Sequence, residues 1–267
     1  MVQMKKYVVV VIALLVIAAV LTYLGLRTEV KVETTGVFKV DKVEEVRVNT
    51  LYYQGLAEGG GYWYFSDRMA LFKVEGFDKP IATLYPAIPD ELRSEGYDHI
   101  GDVDYFDGYI YAPVEDVNYE KPIVIVYSES DFSVVKVIGP FPQSHMPWVA
   151  LDSEGRMYSS EFSDVNEIKV YDPEGDLVET IKLNVSLQRV QGGCIYGDKY
   201  LILTTDDGGD WVYAVNLKTG EVTKICAVKT PYEGEGVECG EGVIYFLVGT
   251  PEDMMNKLFI IHVRVTG

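Results

Sequence analysis

With 267 residues, 48% of them hydrophobic and 24% charged, the chain is long enough to bury a core and too apolar to be a disordered tail. Its 41 acidic residues outnumber its 23 lysines and arginines, for a formal charge of −18, which disfavours nucleic acid and anionic lipid surfaces as partners. Three cysteines, Cys194, Cys226 and Cys239, exclude a disulfide-dense scaffold; they permit one bridge at most, or read equally as small buried apolar residues.

The first predicted element is the uncharged run from Tyr7 to Leu26, about 20 residues, the length a helix needs to cross ~30 Å of hydrocarbon. Lys5 and Lys6 precede it, while Arg27 follows and is offset at once by Glu29, so the positive-inside rule places the N-terminus in the cytoplasm. The expected organisation is a cytoplasmic N-terminus (1–6), a transmembrane signal anchor (7–26), a linker (27–36) and an extracytoplasmic domain (37–267). That makes a single-pass protein of the cell membrane. The alternative is a secreted domain released by signal cleavage, although the segment LTYLGLRTE lacks the small-residue A-x-A site. Lys5, Lys6 and Arg27 are the only charges up to residue 27, so 20 positive and 41 negative groups remain beyond it, a net charge near −21.

Past Arg27 no long stretch carries apolar residues at helical spacing, whereas short alternating runs rich in Val, Ile, Tyr and Phe recur. The domain is predicted to be all-β. A turn followed by an aromatic-rich strand appears as GYWYF, GYIYA, GRMYS, DKYLI and GVIYF, and the aligned residues Tyr64, Tyr111, Tyr158, Ile202 and Tyr245 lie 47, 47, 44 and 43 apart. This is the ~40–50 residue period of a four-stranded propeller blade, repeated five times. Each register follows a short inner-strand segment and precedes a second hairpin, with turn residues such as Asp172-Pro173-Glu174-Gly175 and Leu217-Lys218-Thr219-Gly220 at the hairpin centres. The fifth unit, ending in KLFIIHVRVTG, is one strand short, and VFKVDKVEEVRVN (37–49) is one strand in excess. The predicted fold is therefore a five-bladed β-propeller closed by an N-terminal strand and preceded by one N-terminal transmembrane helix.

The blade openings, in the style of QG…YWYFS and HIGD…YIYAPVED, resemble the broad class of secreted or membrane-tethered propellers, including NHL-type, quinoprotein-like and gluconolactonase-like families. The resemblance covers roughly residues 37–267 and concerns architecture. The WD and GH pairs of WD-repeat propellers are absent, as is a quinoprotein-type tryptophan docking motif.

In such a ring the starts of the inner strands converge on one mouth. The blade openings offer Gln54, His99, His145, Trp148 and Gln191 as candidate ligand contacts, with Trp148 placed to stack on a sugar or other flat ligand. Asp102 with Asp104, and Glu233 with Glu235, are pairs two residues apart on a strand, where carboxylates share a face and need a cation or hydrogen-bond donors. Two readings stay open for them: a Ca²⁺ ion, the one cofactor the sequence points to, and amides of neighbouring blades that pin the ring. The histidines stand in separate blades without a short-range metal motif. Asp206-Asp207-Gly208-Gly209-Asp210 reads as a hairpin connection or a surface cation site.

No nucleophile elbow, phosphate loop or dinucleotide fingerprint is present, so no catalytic residue is assigned. The leading expectation is a cell-surface binding or protein-interaction module, with an extracellular protein, a small molecule or a sugar as ligand and the membrane engaged only through the N-terminal helix. The alternative, implied by the resemblance to gluconolactonase-like propellers, is a calcium-dependent lactonase or esterase-like hydrolase working at the central channel.

Overall fold

The computed structural model describes residues 12, 29–32, 37–229, 232–249 and 255–266. The expected anchor at 7–26 lies outside the described residues apart from Ile12. Among the described residues no helix is long and apolar enough to cross a membrane.

Two N-terminal strands, β1 (Glu29–Val32) and β2 (Phe38–Val48), precede the repeats. Blade I is β3 (Gly55–Gly59), β4 (Tyr62–Asp67), β5 (Ala70–Val74) and β6 (Pro80–Leu84), followed by a single helical turn, α1 (Asp90–Ser94). Blade II has its inner strand broken into β7 (Tyr97–Ile100) and β8 (Asp104–Phe106), then β9 (Tyr109–Asp116), β10 (Ile123–Ser128) and β11 (Val134–Ile138). Blade III is β12 (Ala150–Leu151), β13 (Met157–Ser159), β14 (Val165–Tyr171) and β15 (Leu177–Leu187). Blade IV is β16 (Val190–Tyr196), β17 (Tyr200–Thr205), β18 (Trp211–Asn216) and β19 (Val222–Lys229). Blade V is β20 (Glu233–Gly240), β21 (Val243–Gly249) and β22 (Asn256–Val265). Within each blade, successive strands pair antiparallel from the axis outwards. Five such sheets make a five-bladed β-propeller, and the repeat residues Tyr64, Tyr111, Tyr158, Ile202 and Tyr245 all fall on second strands.

The missing outer strand of blade V is β2, which pairs with β22 from Phe38↔Val265 to Val48↔Asn256. Blade IV carries a fifth strand that the repeat did not reveal: β1 pairs with β19 through Glu29↔Lys229 to Val32↔Cys226. Both pairings cover the hydrogen-bonding edge of an outer strand.

Alternation along the strands sends apolar side chains into the spaces between blades, where five clusters form. Tyr64 and Tyr158 of the repeat are buried there, each burying enough surface to stabilise the ring by about 1.5–3 kcal/mol. The cysteines resolve into one bridge, Cys194–Cys239, and a buried free thiol, Cys226, whose pKa burial pushes up to about 12.

The closure is clasped by Asn256, fully buried, whose Nδ2 donates to the carbonyls of Asn49 (3.4 Å), Thr50 (3.1 Å) and Tyr52 (2.8 Å) in the turn from β2 to β3. An Asn256→Ala variant takes the side-chain donor from all three carbonyls, of which that of Tyr52 belongs to a buried residue. Its urea midpoint should fall by the equivalent of about 2–4 kcal/mol, and an unchanged midpoint would remove the clasp from the account.

Candidate functional site

The five inner strands can be aligned by the residue opposite each repeat position: Ala57, Asp104, Ala150, Cys194 and Glu238. Counting along the strands from these residues divides the axis into three levels.

Two residues before the reference stand Gly55, Asp102, Trp148, Gly192 and Gly236. Asp102 is fully buried and accepts amides from three other blades: Leu56 N–H at 3.0 Å on Oδ1, and Gly193 N–H at 3.2 Å and Val237 N–H at 3.1 Å on Oδ2. Its backbone reaches the remaining blade through Asp102 N–H to Pro147 O (2.8 Å) and Val149 N–H to Asp102 O (3.3 Å), a parallel bridge to Trp148. One residue thus binds all five blades. The glycines make room for it, since a Cβ on Gly55 or Gly236 would lie 2.4 Å from Asp102 atoms. Burial drives the Asp102 pKa well above the usual carboxylate range, with the three amides pulling the other way.

At the reference level the same bond occurs twice. Asp104 accepts Leu151 N–H of blade III at 2.6 Å, and Glu238 accepts Glu58 N–H of blade I at 3.0 Å; each also accepts the amide of the residue after it. The corresponding position between blades IV and V is the Cys194–Cys239 disulfide. Three of the five junctions are therefore stapled at one height. Burial pushes Asp104 up to about 7, and raises Glu238 well above its usual value with Asp104 as the next contributor.

Three residues before the reference, Gln54, Gln191 and Glu235 line the floor of the upper mouth, on the face that carries the connections into the inner strands. His99 Nε2 contacts Gln54 Oε1, while its Nδ1 is buried without a hydrogen-bond partner. Burial lowers the His99 pKa, keeping the imidazole neutral. Glu115, the cross-strand partner of His99, has an oxygen 2.5 Å from His145 Nδ1, off the line of a hydrogen bond, and accepts Met146 N–H at 2.6 Å. The His145 ring stacks between Tyr119 (4.3 Å between centroids) and Phe162 (5.1 Å), and the Arg189 guanidinium lies 5.2 Å from Phe162. This column runs across blades II, III and IV, ending in Tyr119 at 39% exposure. Arg189 is paired with Asp206. On the blade V side, Tyr53 donates to Glu233 at 3.0 Å, and Glu235 sits beneath, buried.

The mouth thus gathers Gln54, His99 and His145, with Gln191 half-exposed as the extra residue of a bulge in β16. Trp148 requires correction. Its ring is fully buried against Gly193 and its Nε1 donates to Ser160 Oγ at 3.2 Å, so no face is free to stack on a ligand. Asp102 and Asp104 do not share one site either: their oxygens accept different sets of amides at two levels of the axis. Among the described residues no group of three or more His, Cys, Asp or Glu side chains is arranged to hold a metal ion.

Several residues of the site escaped sequence reasoning. Glu238 has the wrong parity relative to Glu235 for an even strand, and a bulge between Gly234 and Val237 restores it. Tyr119, Phe162 and Asp206 come from connections between second and third strands, where no periodicity marks them. The only signal for Asp206 was its place in the Asp-Gly cluster, which does join β17 to β18.

No protein-family model matches the chain, and no curated protein matches it. Solved structures are similar in fold. A protein of unknown function from Bacteroides caccae has a TM-score of 0.50 at 11% identity, over 73% of this chain and 69% of that one. The WD40 β-propeller domain of Doa1 has 0.47 at 13%, over 78% of each chain. The PQQ-bound aldose sugar dehydrogenase from Streptomyces coelicolor has 0.46 at 14%, over 90% and 99%. At these identities the likeness is one of fold alone.

Two measurements test the axis. Asp102→Asn turns a donor towards at least one of the three amides, so unfolding free energy should drop by about 1–3 kcal/mol for each bond lost; a neutral substitution would show that the amides do not depend on this acceptor. A carboxyl whose folded pKa lies above its unfolded value favours folding below the unfolded value and loses that contribution as pH rises. Glu238, whose ordinary value is 4.5 and whose folded pKa is raised by burial, therefore weakens the ring progressively above about pH 4.5. The melting temperature of Glu238→Gln relative to the parent should rise as the pH is taken upwards from about 5, and a flat difference would contradict the burial argument.

Proposed function

We propose that the chain is a membrane-anchored, extracytoplasmic binding module that presents the upper mouth of its propeller to a partner. The observation that carries this reading is the column Tyr119–His145–Phe162–Arg189, a half-exposed run of flat and cationic groups over a floor closed by Asp102. Such groups form the anchors of binding surfaces, and loops on a rigid scaffold are where recognition residues concentrate. The Cys194–Cys239 bridge supports a location outside the cytoplasm, where disulfides persist. The uncharged run at 7–26 supports the anchor.

The calcium-dependent hydrolase has less support, because the oxygens of Asp102 and Asp104 are already taken by backbone amides. Calcium or chelator should leave the melting temperature unchanged; a rise with calcium would revive that reading. The binding reading is tested in native membranes with a photo-crosslinking residue at position 119 on the mouth, and a control at position 85 on the rim, where Tyr85 is exposed. A discrete adduct is expected from 119 alone. Protease applied to intact cells should remove the domain beyond Arg27, and full protection would sink the assignment of its side of the membrane.

A further inference from the structure

The N-terminal strand β1 joins the ring at a definite point. It begins where Glu29 pairs with Lys229, the last residue of β19, and Lys229 stands four residues before Glu233, the first residue of β20. That end of β19 belongs to the upper face, which carries the connections into the inner strands. Beside it Val228 N–H donates to Asp210 O (3.0 Å), in the β17–β18 connection that also brings Asp206 to the mouth. β1 is fastened there along all 4 of its residues, and Lys31 Nζ lies 5.5 Å from the centre of the Trp211 ring. Blade IV is in turn bridged to blade V by Cys194–Cys239. In the sequence the uncharged run ends at Leu26, and only Arg27 and Thr28 stand between it and β1.

Chain length turns this attachment into a bound on distance. The stretch from Leu26 to Glu29 reaches at most about 10 Å, the pairing of β1 with β19 spans about 5 Å, and the stretch from Lys229 to Glu233 reaches at most about 14 Å. Exposed Glu233, at the lip of the mouth, therefore stands within about 30 Å of the end of the apolar run. The lower turn of the same blade, at 217–220, is set apart from that root by the 8 residues of β19, about 26 Å of strand. Resting on the binding-module reading, we infer that the ring is held with its upper mouth on the bilayer side and that its partner is the extracytoplasmic part of a protein embedded in the same membrane. A partner from bulk solution has to enter the space between ring and bilayer, whereas an embedded one is already confined to it, which raises its effective concentration at the mouth. Lipid headgroups fit less well. Anionic ones are repelled by a domain that holds all 41 acidic residues of the chain, with Asp206, Asp207 and Glu233 on the face in question. The flat and cationic column Tyr119–His145–Phe162–Arg189 has instead the composition of a protein anchor site.

Thiol labelling of the full-length chain measures the orientation, because Cys194 and Cys239 are bridged and Cys226 is buried, so an introduced cysteine is the reactive one. Asp207→Cys carries a fluorophore on the upper face of blade IV and Lys218→Cys carries it on the lower face, both at exposed positions. In phosphatidylcholine vesicles containing lipids spin-labelled at the headgroup, quenching at 207 should exceed that at 218 by at least about twofold, for labels roughly one strand length apart. Equal quenching, or stronger quenching at 218, overturns the orientation and with it the partner. Chains that fail to float with the vesicles overturn the anchor itself, on which the binding-module reading also relies. The partner is identified from the adduct at position 119 in native membranes, where mass spectrometry should find a protein with a membrane-spanning segment. A soluble protein or a lipid in that adduct leaves the binding module standing and overturns the embedded partner. Absence of any adduct removes the module and the partner together, while the quenching still decides the orientation.

Discussion

Everything near the axis depends on one carboxyl group placed where five sheet edges meet. The inner strand of each blade has its inward edge unpaired, and amides on such an edge need an acceptor. In a ring this narrow the acceptor has to come from the strands themselves. Asp102 supplies two oxygens for three amides, and the break in the inner strand of blade II frees its backbone to bridge to blade III. The glycines at the same level in blades I, IV and V follow from that choice, because a side chain there would occupy the space of the carboxyl or of the strand beyond it.

The reference level solves the same problem less centrally. Asp104 and Glu238 each reach one blade further round the ring, and the disulfide performs the equivalent link between blades IV and V. The carboxyls are raised in pKa chiefly because their burial outweighs the amides that favour ionisation, with the charge of Asp104 adding to the rise at Asp102 and Glu238. An acidic protein with a net charge of −18 thus keeps part of its acidity inside, where buried carboxyls accept amides from neighbouring blades and hold strands together. Elsewhere the logic is reversed. Three backbone amides hold Asp116, in the connection after β9, below the usual range even though burial opposes them. The position of a carboxyl in the ring, more than its count of hydrogen bonds, decides which way its proton goes.

The repeat was legible because inter-blade packing demands a large residue at the same point of each second strand, so Tyr64, Tyr111, Tyr158 and Tyr245 announce the period directly. Closure was legible by counting strands, since a blade one strand short and a strand without a blade have one economical pairing. The β1 addition was not, because four residues carry no periodic signature. Gln54, His99 and His145 lie beside the inner strands, so the blade openings were enough to place them. Placement fails where a bulge changes parity, as at Glu238, or where a residue points between blades, as at Trp148. The three cysteines allowed one bridge at most and did not say which pair would form it. Cys194 and Cys239 are 45 residues apart, one blade period, so the repeat itself puts them on adjacent inner strands at matching heights.

The levels separate what holds the ring from what the ring can offer. Hub and staples use up the polar groups they contain, and a group with all its bonds made has little to give a ligand. At the upper mouth the groups come from five blades and from two kinds of connection, and they are only partly matched: His99 Nδ1 lacks a partner, and Glu115 meets His145 off the hydrogen-bond line. Unmatched polar groups on a deformable surface would relax towards one another or towards water. Here the floor is fixed by Asp102 to all five blades, and the backbones on either side cannot close the gaps. The rigidity of the hub keeps the mouth unsatisfied, and an unsatisfied mouth of fixed geometry pays little conformational entropy when a ligand completes it.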